Sequence, residues 1–376
     1  MKLYFLIEFT SNTGGMLQSV TSIINGLSKS GLHQISLISP FGSDISQIQF
    51  DGDVKILSTK QKAWSISRKS LLSTIKVAFN VWKMVRKDIK DSYFVTNDYG
   101  SSILLSFIPS FKLKEIYICR GGTFHGDGLG GFFMRNKIRY GHITRIVTTS
   151  SHLKKMILGF HYPEDRITVI FNGVTKPTFD FKYNGLNRNC LRISTIGFIS
   201  DRKNHIEGVR LVKMLREKGI NAFLYIYGAV GSKPDAAYKV ILDKEIDDLG
   251  VTEFVVYKGF VKGDKLFEET DLMISFAKEE GFGRTLPEAM LRKLPFIAYR
   301  GAGGPVDITQ DGRYGYLVDN CVAVDYLERV EWMFGHPDEL KRNVYESYDY
   351  AMSIFTEEQM VGRYVNFVTQ IKNGNL

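Results

Sequence analysis

The chain has 376 residues, of which 44% are hydrophobic and 24% are charged. These values are ordinary for a globular protein. The chain is longer than a single small domain needs, so its length predicts two domains. No run of about 18 uninterrupted apolar residues occurs, which excludes a typical membrane-spanning helix. The opening run Met1–Glu8 is too short for a signal-peptide core and predicts a first buried strand. The scattered Cys119, Cys190 and Cys321 fit neither a disulfide framework nor a metal site and predict a reducing, cytoplasmic environment.

The positive charge lies in the first half of the chain. Residues 1–177 contain 23 Lys and Arg against 11 Asp and Glu, which gives +12, while the remainder contains 26 against 29, which gives −3. The two halves add up to the net charge of +9. A basic half predicts an acidic surface or an acidic partner for that half.

Apolar strand patterns alternate with helical patterns along the whole chain, which predicts an α/β fold with parallel sheets. The predicted strands of the first half are Leu3–Ile7, Ile35–Ser39, Val54–Ile56, Phe94–Thr96, Glu115–Cys119, Arg145–Thr148 and Thr168–Ile170. Those of the second half are Leu191–Ile196, Ala222–Tyr227, Phe254–Tyr257, Leu272–Phe276, Phe296–Ala298 and Tyr316–Val318. Residues 177–189 lack periodicity and predict a linker between two doubly wound, Rossmann-like domains, 1–178 and 190–355. A last helical segment covers 356–376.

Three segments follow predicted strands, at the edge of the sheet where ligands of α/β folds bind. Gly14 and Gly15 follow the first strand and precede an amphipathic helix, where open backbone N–H groups can hold an anion. Arg202 and Lys203 follow the first strand of the second domain, although a solvated turn is the alternative. His125 lies in a glycine-rich loop after the strand that ends at Cys119, a place that favours a functional histidine over a structural one.

The fourth segment runs from Glu280 to Glu288, between a predicted buried strand and a helix start. Its glycine turn and helix N-terminus can hold an anion, and its two carboxylates are suited to gripping hydroxyl groups. An anion flanked by hydroxyls describes a nucleotide sugar. Thr285 and Glu288 also fit a capping box, in which Glu288 would only close the helix start, and both roles could coexist.

Glu280-Gly-Phe-Gly-Arg-Thr-Leu-Pro-Glu288 resembles the E-x7-E signature of retaining glycosyltransferases of family 4, which have the GT-B fold. The resemblance is strongest over residues 191–318, and in the first half of the chain it is limited to single motifs. It implies two Rossmann-like domains facing across a cleft and a last helix that returns to the first domain. One departure stands out, because Phe198 occupies the position of the arginine that follows the family's glycine, and Arg202 is the candidate substitute.

The resemblance also implies the roles of individual residues. Glu280, Lys203 and His125 would take part in catalysis, with Glu280 and His125 at the donor sugar and Lys203 at the diphosphate. Glu288 would bind the donor ribose. The residues implied to bind the donor nucleotide sugar are Gly14, Gly15, Arg202, Lys203, Gly228, Gly281, Phe282, Gly283, Arg284, Thr285 and Glu288.

The resemblance implies retaining, metal-independent transfer of a hexose from a nucleotide-diphosphate sugar, with no cofactor beyond this co-substrate. The acceptor would be a glycan or a lipid-linked glycan in polysaccharide or glycolipid assembly. A non-catalytic partner subunit, favoured by Phe198, a sugar-nucleotide epimerase and a phosphorylase remain alternatives. The pair Asp51 and Asp53 could suggest manganese, but its position favours a turn.

The segment Lys60–Lys90 contains nine basic residues and one acid, interleaved with apolar residues at helical spacing. This pattern fits a helix on the anionic inner face of a membrane, and it equally fits a core-facing helix with solvated lysines. No recognition motif accompanies the charge, so no nucleic-acid partner is predicted.

Overall fold

The computed structural model describes residues 1–7, 15–40, 48, 50–58, 71–110, 113–121 and 129–376. Within these ranges the chain divides into two compact units. Unit 1 consists of Met1–Gly173 and Glu357–Leu376, and unit 2 consists of Val174–Thr356. None of the helices in the described ranges combines the length and the apolar character needed to cross a bilayer.

Unit 1 contains a parallel sheet with the strand order β3-β2-β1-β4-β5-β6-β7. Its strands are β1 (Lys2–Leu6), β2 (Gln34–Ser39), β3 (Val54–Ser58), β4 (Ser92–Thr96), β5 (Lys114–Cys119), β6 (Arg145–Thr148) and β7 (Ile167–Val169). Its helices are α1 (Gly15–Lys29), α2 (Leu71–Val85), α3 (Tyr99–Leu105), α4 (Leu129–Arg139), α5 (Ser151–Leu158) and the last helix of the chain, α12 (Glu357–Lys372). The strand order reverses direction at β1, as in a doubly wound fold.

Helices cover both faces of this sheet, which explains the continuous apolar run of the first strand. Leu3 and Phe5 face one core together with residues of α1, whereas Tyr4 and Leu6 face a second core together with residues of α2. Helix α12 completes the first of these cores. Its buried residues recur every three or four positions, at Met360, Tyr364, Phe367, Val368 and Ile371.

Unit 2 contains a second parallel sheet with the order β10-β9-β8-β11-β12-β13. Its strands are β8 (Leu191–Ile196), β9 (Ala222–Tyr227), β10 (Val255–Gly259), β11 (Leu272–Ser275), β12 (Phe296–Tyr299) and β13 (Tyr316–Val318). Its helices are α6 (His205–Glu217), α7 (Lys233–Asp248), α8 (Thr285–Met290), α9 (Gly304–Thr309), α10 (Ala323–Gly335) and α11 (Pro337–Ile354). The prediction of two parallel, doubly wound α/β sheets is confirmed, and each predicted strand overlaps an observed one.

The carboxylate of Asp264 joins the start of unit 2 to its interior. Asp264 accepts hydrogen bonds from the backbone N–H of Thr178 at 2.8 Å and from Nε of Arg292 at 2.9 Å. The Arg292 side chain is only 4% exposed, so its charge requires this partner. The chain that enters unit 2 is therefore fixed to the segment that follows α8.

Candidate active site

The candidate site of unit 2 lies at the carboxyl ends of two neighbouring strands. Strand β8 ends at Ile196 and is followed by the turn that carries Arg202 and Lys203, directly before α6. Strand β11, which pairs with β8, ends at Ser275 and is followed by the loop that carries Glu280. Because the strands are parallel, both loops emerge at the same edge of the sheet, where ligands of α/β folds bind.

Lys203 and Arg202 converge on the carboxylate of Glu280. Nζ of Lys203 contacts Oε1 of Glu280, and Nη1 of Arg202 lies 3.5 Å from the same oxygen. Nη1 of Arg202 also donates to the backbone oxygen of Glu279 at 2.8 Å. The side chains of Lys203 and Glu280 are largely buried, whereas that of Arg202 is half exposed. The structure thus brings together two cations and a carboxylate from separate loops.

The backbone of Glu280 is held by the glycine loop that follows β12. Its N–H donates to the carbonyl of Ala302 at 2.8 Å, and its carbonyl accepts from the N–H of Gly304 at 2.9 Å. A Cβ atom on Gly304 would come within 2.2 Å of the Phe282 carbonyl oxygen, so this close approach requires glycine. Glu280 therefore sits on a rigid support although it lies outside any helix.

Glu288 occupies the fourth position of α8, and the capping-box alternative is wrong. The helix begins at Thr285, and the N–H of Glu288 already donates to the backbone carbonyl of Arg284 at 3.1 Å. No side-chain cap bond forms at the described start of this helix. Oε1 of Glu288 lies 3.7 Å from Nη2 of Arg284. Burial raises the pKa of Glu288, and the charges of Arg284 and Arg292 offset part of this effect.

In the glycine turn before α8, some residues serve the fold and others are partly exposed to solvent. Gly283 has φ = +92°, a conformation that favours glycine. The Phe282 ring is buried against Phe355, with ring centroids 6.0 Å apart, so the ring has a core role and is not presented to a ligand. Gly281 and Thr285 are partly exposed beside it.

A small apolar pocket of about 190 Å³ lies at the carboxyl ends of β8 and β9, beside the loop after β10. Phe198, Tyr227, Phe260 and Leu266 contribute to its walls. Gly228 also borders it, and a Cβ atom there would meet the carbonyl oxygen of Gly197 at 1.8 Å. The close approach of two loops thus explains the glycine at position 228. The exposed Phe198 forms part of the pocket wall and supplies no positive charge at this position.

Two predicted residues, Gly14 and His125, lie outside the described residues, and Gly15 is the first residue of α1. Asp51 forms an ion pair with Lys29 at 3.0 Å, which accounts for one of the two aspartates considered for a metal.

The sequence interpretation missed four polar residues of unit 1. Asn97 directly follows β4, Thr149 directly follows β6, and Tyr99 and Ser101 lie in the helix after β4. The amide of Asn97 and the hydroxyls of the other three are buried and have no hydrogen-bond partner among the described residues. The position of Asn97 and Thr149 immediately after buried strands is the signal that could have revealed them.

Residues 178–349 match the family model described as "Glycosyl transferases group 1". A curated relative, the uncharacterized glycosyltransferase MJ1607 of Methanocaldococcus jannaschii, is 26% identical over 278 residues, covering 69% of this chain and 70% of that protein. The poly(ribitol-phosphate) alpha-N-acetylglucosaminyltransferase of Staphylococcus aureus is 29% identical over 123 residues, covering 32% of this chain but only 24% of that protein.

Among solved structures, Anabaena Alr3699/HepE in complex with UDP and glucose superposes with a TM-score of 0.77, at 15% identity, over 98% of this chain and 99% of that chain. The chain has the GT-B fold, and the comparisons support a glycosyltransferase. The predicted GT-B fold is thereby confirmed. The matched domain model covers almost all of unit 2, the unit in which Glu280, Glu288 and Lys203 lie.

Proposed function

We propose that this protein is a retaining, metal-independent hexosyltransferase that uses a nucleotide-diphosphate sugar as donor. The observation that carries the proposal is the convergence of Lys203 and Arg202 on Glu280 at the carboxyl ends of β8 and β11. These groups suit a ligand in which a diphosphate is joined to a hydroxylated ring, because cations bind the phosphates and carboxylates accept from hydroxyls.

In the proposed reaction, the bond between the anomeric carbon and the phosphate oxygen breaks while the acceptor oxygen bonds to the same face of that carbon. The acceptor's proton passes to the departing phosphate oxygen. Lys203 and Arg202 stabilise the negative charge that develops on the diphosphate, and they replace a metal ion in this role. Arg202 thereby compensates for Phe198, since its guanidinium already lies beside Glu280.

The apolar pocket beside Gly228 is the proposed position of the nucleobase. Its aromatic walls, which include Phe198 and Phe260, can stack on a planar ring. Glu288, on the adjacent helix segment, is the proposed partner of the ribose hydroxyls. The nature of the base is the first quantity to measure, by a thermal-shift screen of uridine, guanosine and adenosine diphosphate sugars.

Unit 1 is the proposed acceptor domain, and a glycan or lipid-linked glycan of cell-surface assembly is the proposed acceptor. Asn97, Tyr99 and Thr149 have buried polar groups without a hydrogen-bond partner among the described residues. These groups support a hydroxyl-rich ligand, because each such group costs roughly 1–3 kcal/mol until it is satisfied. Gly14, Gly15 and His125 keep their proposed roles beside the donor and the reaction centre.

The proposed location is the cytoplasmic face of a membrane, to which α2 would dock. Ile75 and Phe79 are each 44% exposed on this helix, although the core face of α2 is formed by other residues. The Phe79 and Trp82 rings stack at 5.3 Å, Nζ of Lys83 lies 4.7 Å from the Phe79 ring, and Cζ of Arg86 lies 5.6 Å from the Trp82 ring. Aromatic and basic groups on one exposed face suit an anionic bilayer.

The deciding experiment compares Glu280→Gln and Lys203→Ala with the matched control Lys244→Ala, which changes an exposed lysine of α7. We expect the two site variants to reduce transfer at least about 100-fold, since charge-stabilising groups contribute on the order of 10²–10³ in rate. The control keeps full activity. Unchanged transfer in both site variants would show that the site is wrong.

One observation favours a second candidate, a non-catalytic partner subunit with the same fold. Phe198, which is 57% exposed, stands where the resembling family has an arginine. The subunit hypothesis expects neither transfer nor donor-induced thermal stabilisation from the purified protein with any of the nucleotide sugars screened. Donor binding combined with transfer excludes it.

A further inference from the structure

A second cavity, of about 390 Å³, lies at the edge of the unit 2 sheet. It is bordered by residues of the edge strand β13 and of helices α10 and α11. Its volume is within the range of small-molecule sites. Glu280, Glu288 and Lys203 are not among its lining residues, so the cavity is separate from the candidate active site.

Three arginines of this cavity, Arg313, Arg329 and Arg342, form no ion pair within 4 Å of any carboxylate in the described part of the chain. The fourth, Arg300, contrasts with them because it contacts Asp311 and donates to Asp319 at 2.8 Å. A guanidinium cannot lose its charge, so each of the three retains donors for an oxyanion.

Arg329 is the most constrained of these cations. It is half-buried, and its Cζ lies 5.8 Å from the Tyr316 ring and 5.6 Å from the Trp332 ring. The rings stabilise the positive charge and hold the guanidinium plane in place, yet they accept none of its N–H groups. None of its N–H groups has a hydrogen-bond acceptor among the described residues, so the guanidinium is available to a planar or tetrahedral oxyanion.

Tyr316 provides an independent indication of a ligand. The residue is 9% exposed, it lines the cavity, and its hydroxyl has no hydrogen-bond partner among the described residues. Burial is the main reason that the pKa of Tyr316 is raised, so the hydroxyl stays neutral and remains a donor. A buried hydroxyl without a partner is costly, and an oxygen atom of a ligand would satisfy it.

Three carboxylates line the same cavity: Asp311, which contacts Arg300, and Glu339 and Glu346. They disfavour a bare, highly charged anion, but they are good acceptors for hydroxyl groups. The lining contains four arginines and three carboxylates, so once Arg300 is paired with Asp311 the other three arginines exceed Glu339 and Glu346 by one positive charge. The lining therefore fits a molecule with one anionic group and several hydroxyls.

We propose that this cavity binds an acidic saccharide, whose phosphate or carboxylate group is held by Arg329, Arg342 and the Tyr316 hydroxyl. Its sugar hydroxyls donate to Glu339 and Glu346. The site goes beyond the proposed transfer reaction, because it uses none of the residues assigned to the donor.

The test measures binding of glucose 6-phosphate and of glucuronate by isothermal titration calorimetry, with glucose and inorganic phosphate as comparison ligands. We expect at least one acidic sugar to bind more tightly than both comparison ligands. Arg342→Gln and Tyr316→Phe should each weaken this binding about tenfold, which corresponds to about 1.4 kcal/mol. The matched control is Lys341→Gln, since Lys341 is exposed on the same helix and does not line the cavity.

The donor-site variant Lys203→Ala separates this proposal from the proposed function, because it should leave acidic-sugar binding unchanged. The proposal is overturned if neither acidic sugar binds with a dissociation constant of about 10 mM or lower. A dissociation constant of that size corresponds to a binding free energy of only about −3 kcal/mol. The proposal is also overturned if Lys203→Ala removes the binding while Arg342→Gln and Tyr316→Phe leave it intact. If inorganic phosphate binds as tightly as the acidic sugars, the assignment of the ligand as a saccharide is contradicted.

Discussion

At the scale of single residues, the candidate active site depends on two carboxylates in different environments. Glu280 is paired with Lys203 and approached by Arg202, so its charge is balanced within the protein. Glu288 has one ion-pair contact among the described residues, with Arg284 at 3.7 Å, and burial raises its pKa. Glu288 thus reduces stability in its charged form, which is expected of a residue retained for a ligand.

The Glu288→Gln substitution tests this cost. A carboxyl whose folded-state pKa lies above its unfolded value destabilises the fold as pH rises past the unfolded value. We therefore expect Glu288→Gln to raise the melting temperature at pH 7.5 by about 2 °C, and to lose this advantage near pH 4. The donor-induced thermal shift should disappear in the same variant.

Thermal unfolding at the two pH values, with and without donor, measures both effects. Glu280→Gln is the comparison variant, because it removes a paired carboxylate and should lower stability. A Glu288→Gln protein that is less stable than the parent at pH 7.5, or that still responds to donor, contradicts the assignment.

At the scale of elements, α2 has two distinct apolar faces. Val77, Val81 and Val85 are buried in the unit 1 core, which accounts for the core-facing alternative. Phe79 and Ile75 are exposed and are left unexplained by the core. The basic residues of the helix end lie beside this second face, which gives α2 the character of a membrane-contacting surface.

Substitution of Lys83 and Arg86 tests the α2 surface. Each basic residue near an anionic bilayer contributes about 1 kcal/mol, so the double variant Lys83→Gln/Arg86→Gln should bind anionic vesicles about 30-fold more weakly. Sedimentation with vesicles at low and high salt measures the effect. The matched control is the double variant Lys213→Gln/Lys218→Gln, which changes two solvent-accessible lysines near the end of α6. Parent binding that is absent, or insensitive to salt, contradicts membrane docking.

At the scale of the whole molecule, buried neutral histidine makes stability depend on pH. His205 is fully buried at the start of α6, and neither ring nitrogen has a hydrogen-bond partner among the described residues. Burial, with a further contribution from Lys203, lowers the pKa of His205 to about 3. The folded protein therefore excludes a proton that the unfolded chain binds below about pH 6.5.

Stability should consequently fall as the pH is lowered from about 6.5 towards 3, by up to about 1.4 kcal/mol per pH unit from this one group. We expect His205→Gln to remove that part of the slope, since glutamine does not titrate. Urea unfolding between pH 7 and 4 measures the slope. His336→Gln, which changes an exposed histidine, should leave it unchanged. An equal slope in His205→Gln and the parent contradicts the assignment.

The sequence located the elements well where one local signal dominates. Leu191–Ile196 and Ala222–Tyr227 were predicted with the observed bounds, because short apolar runs of a doubly covered sheet are bordered by polar residues. The capping-box alternative for Glu288 could not be decided from sequence, since a Thr-x-x-Glu spacing fits a cap even when the backbone of Arg284 already satisfies the N–H concerned. The buried Phe282 ring was also missed, because a residue between two glycines gives no periodicity to interpret.

The amino-acid sequence by itself determined the order of strands and helices and the kinds of side chain that follow each strand, since both depend on neighbours within a few positions. Only the tertiary structure decided that Lys203 reaches Glu280 across 77 positions of the chain, and that four arginines and Tyr316 line one cavity. Such meetings depend on which strands become neighbours in the sheet. Local propensity carries no information about that pairing, which is fixed by the packing of the whole domain.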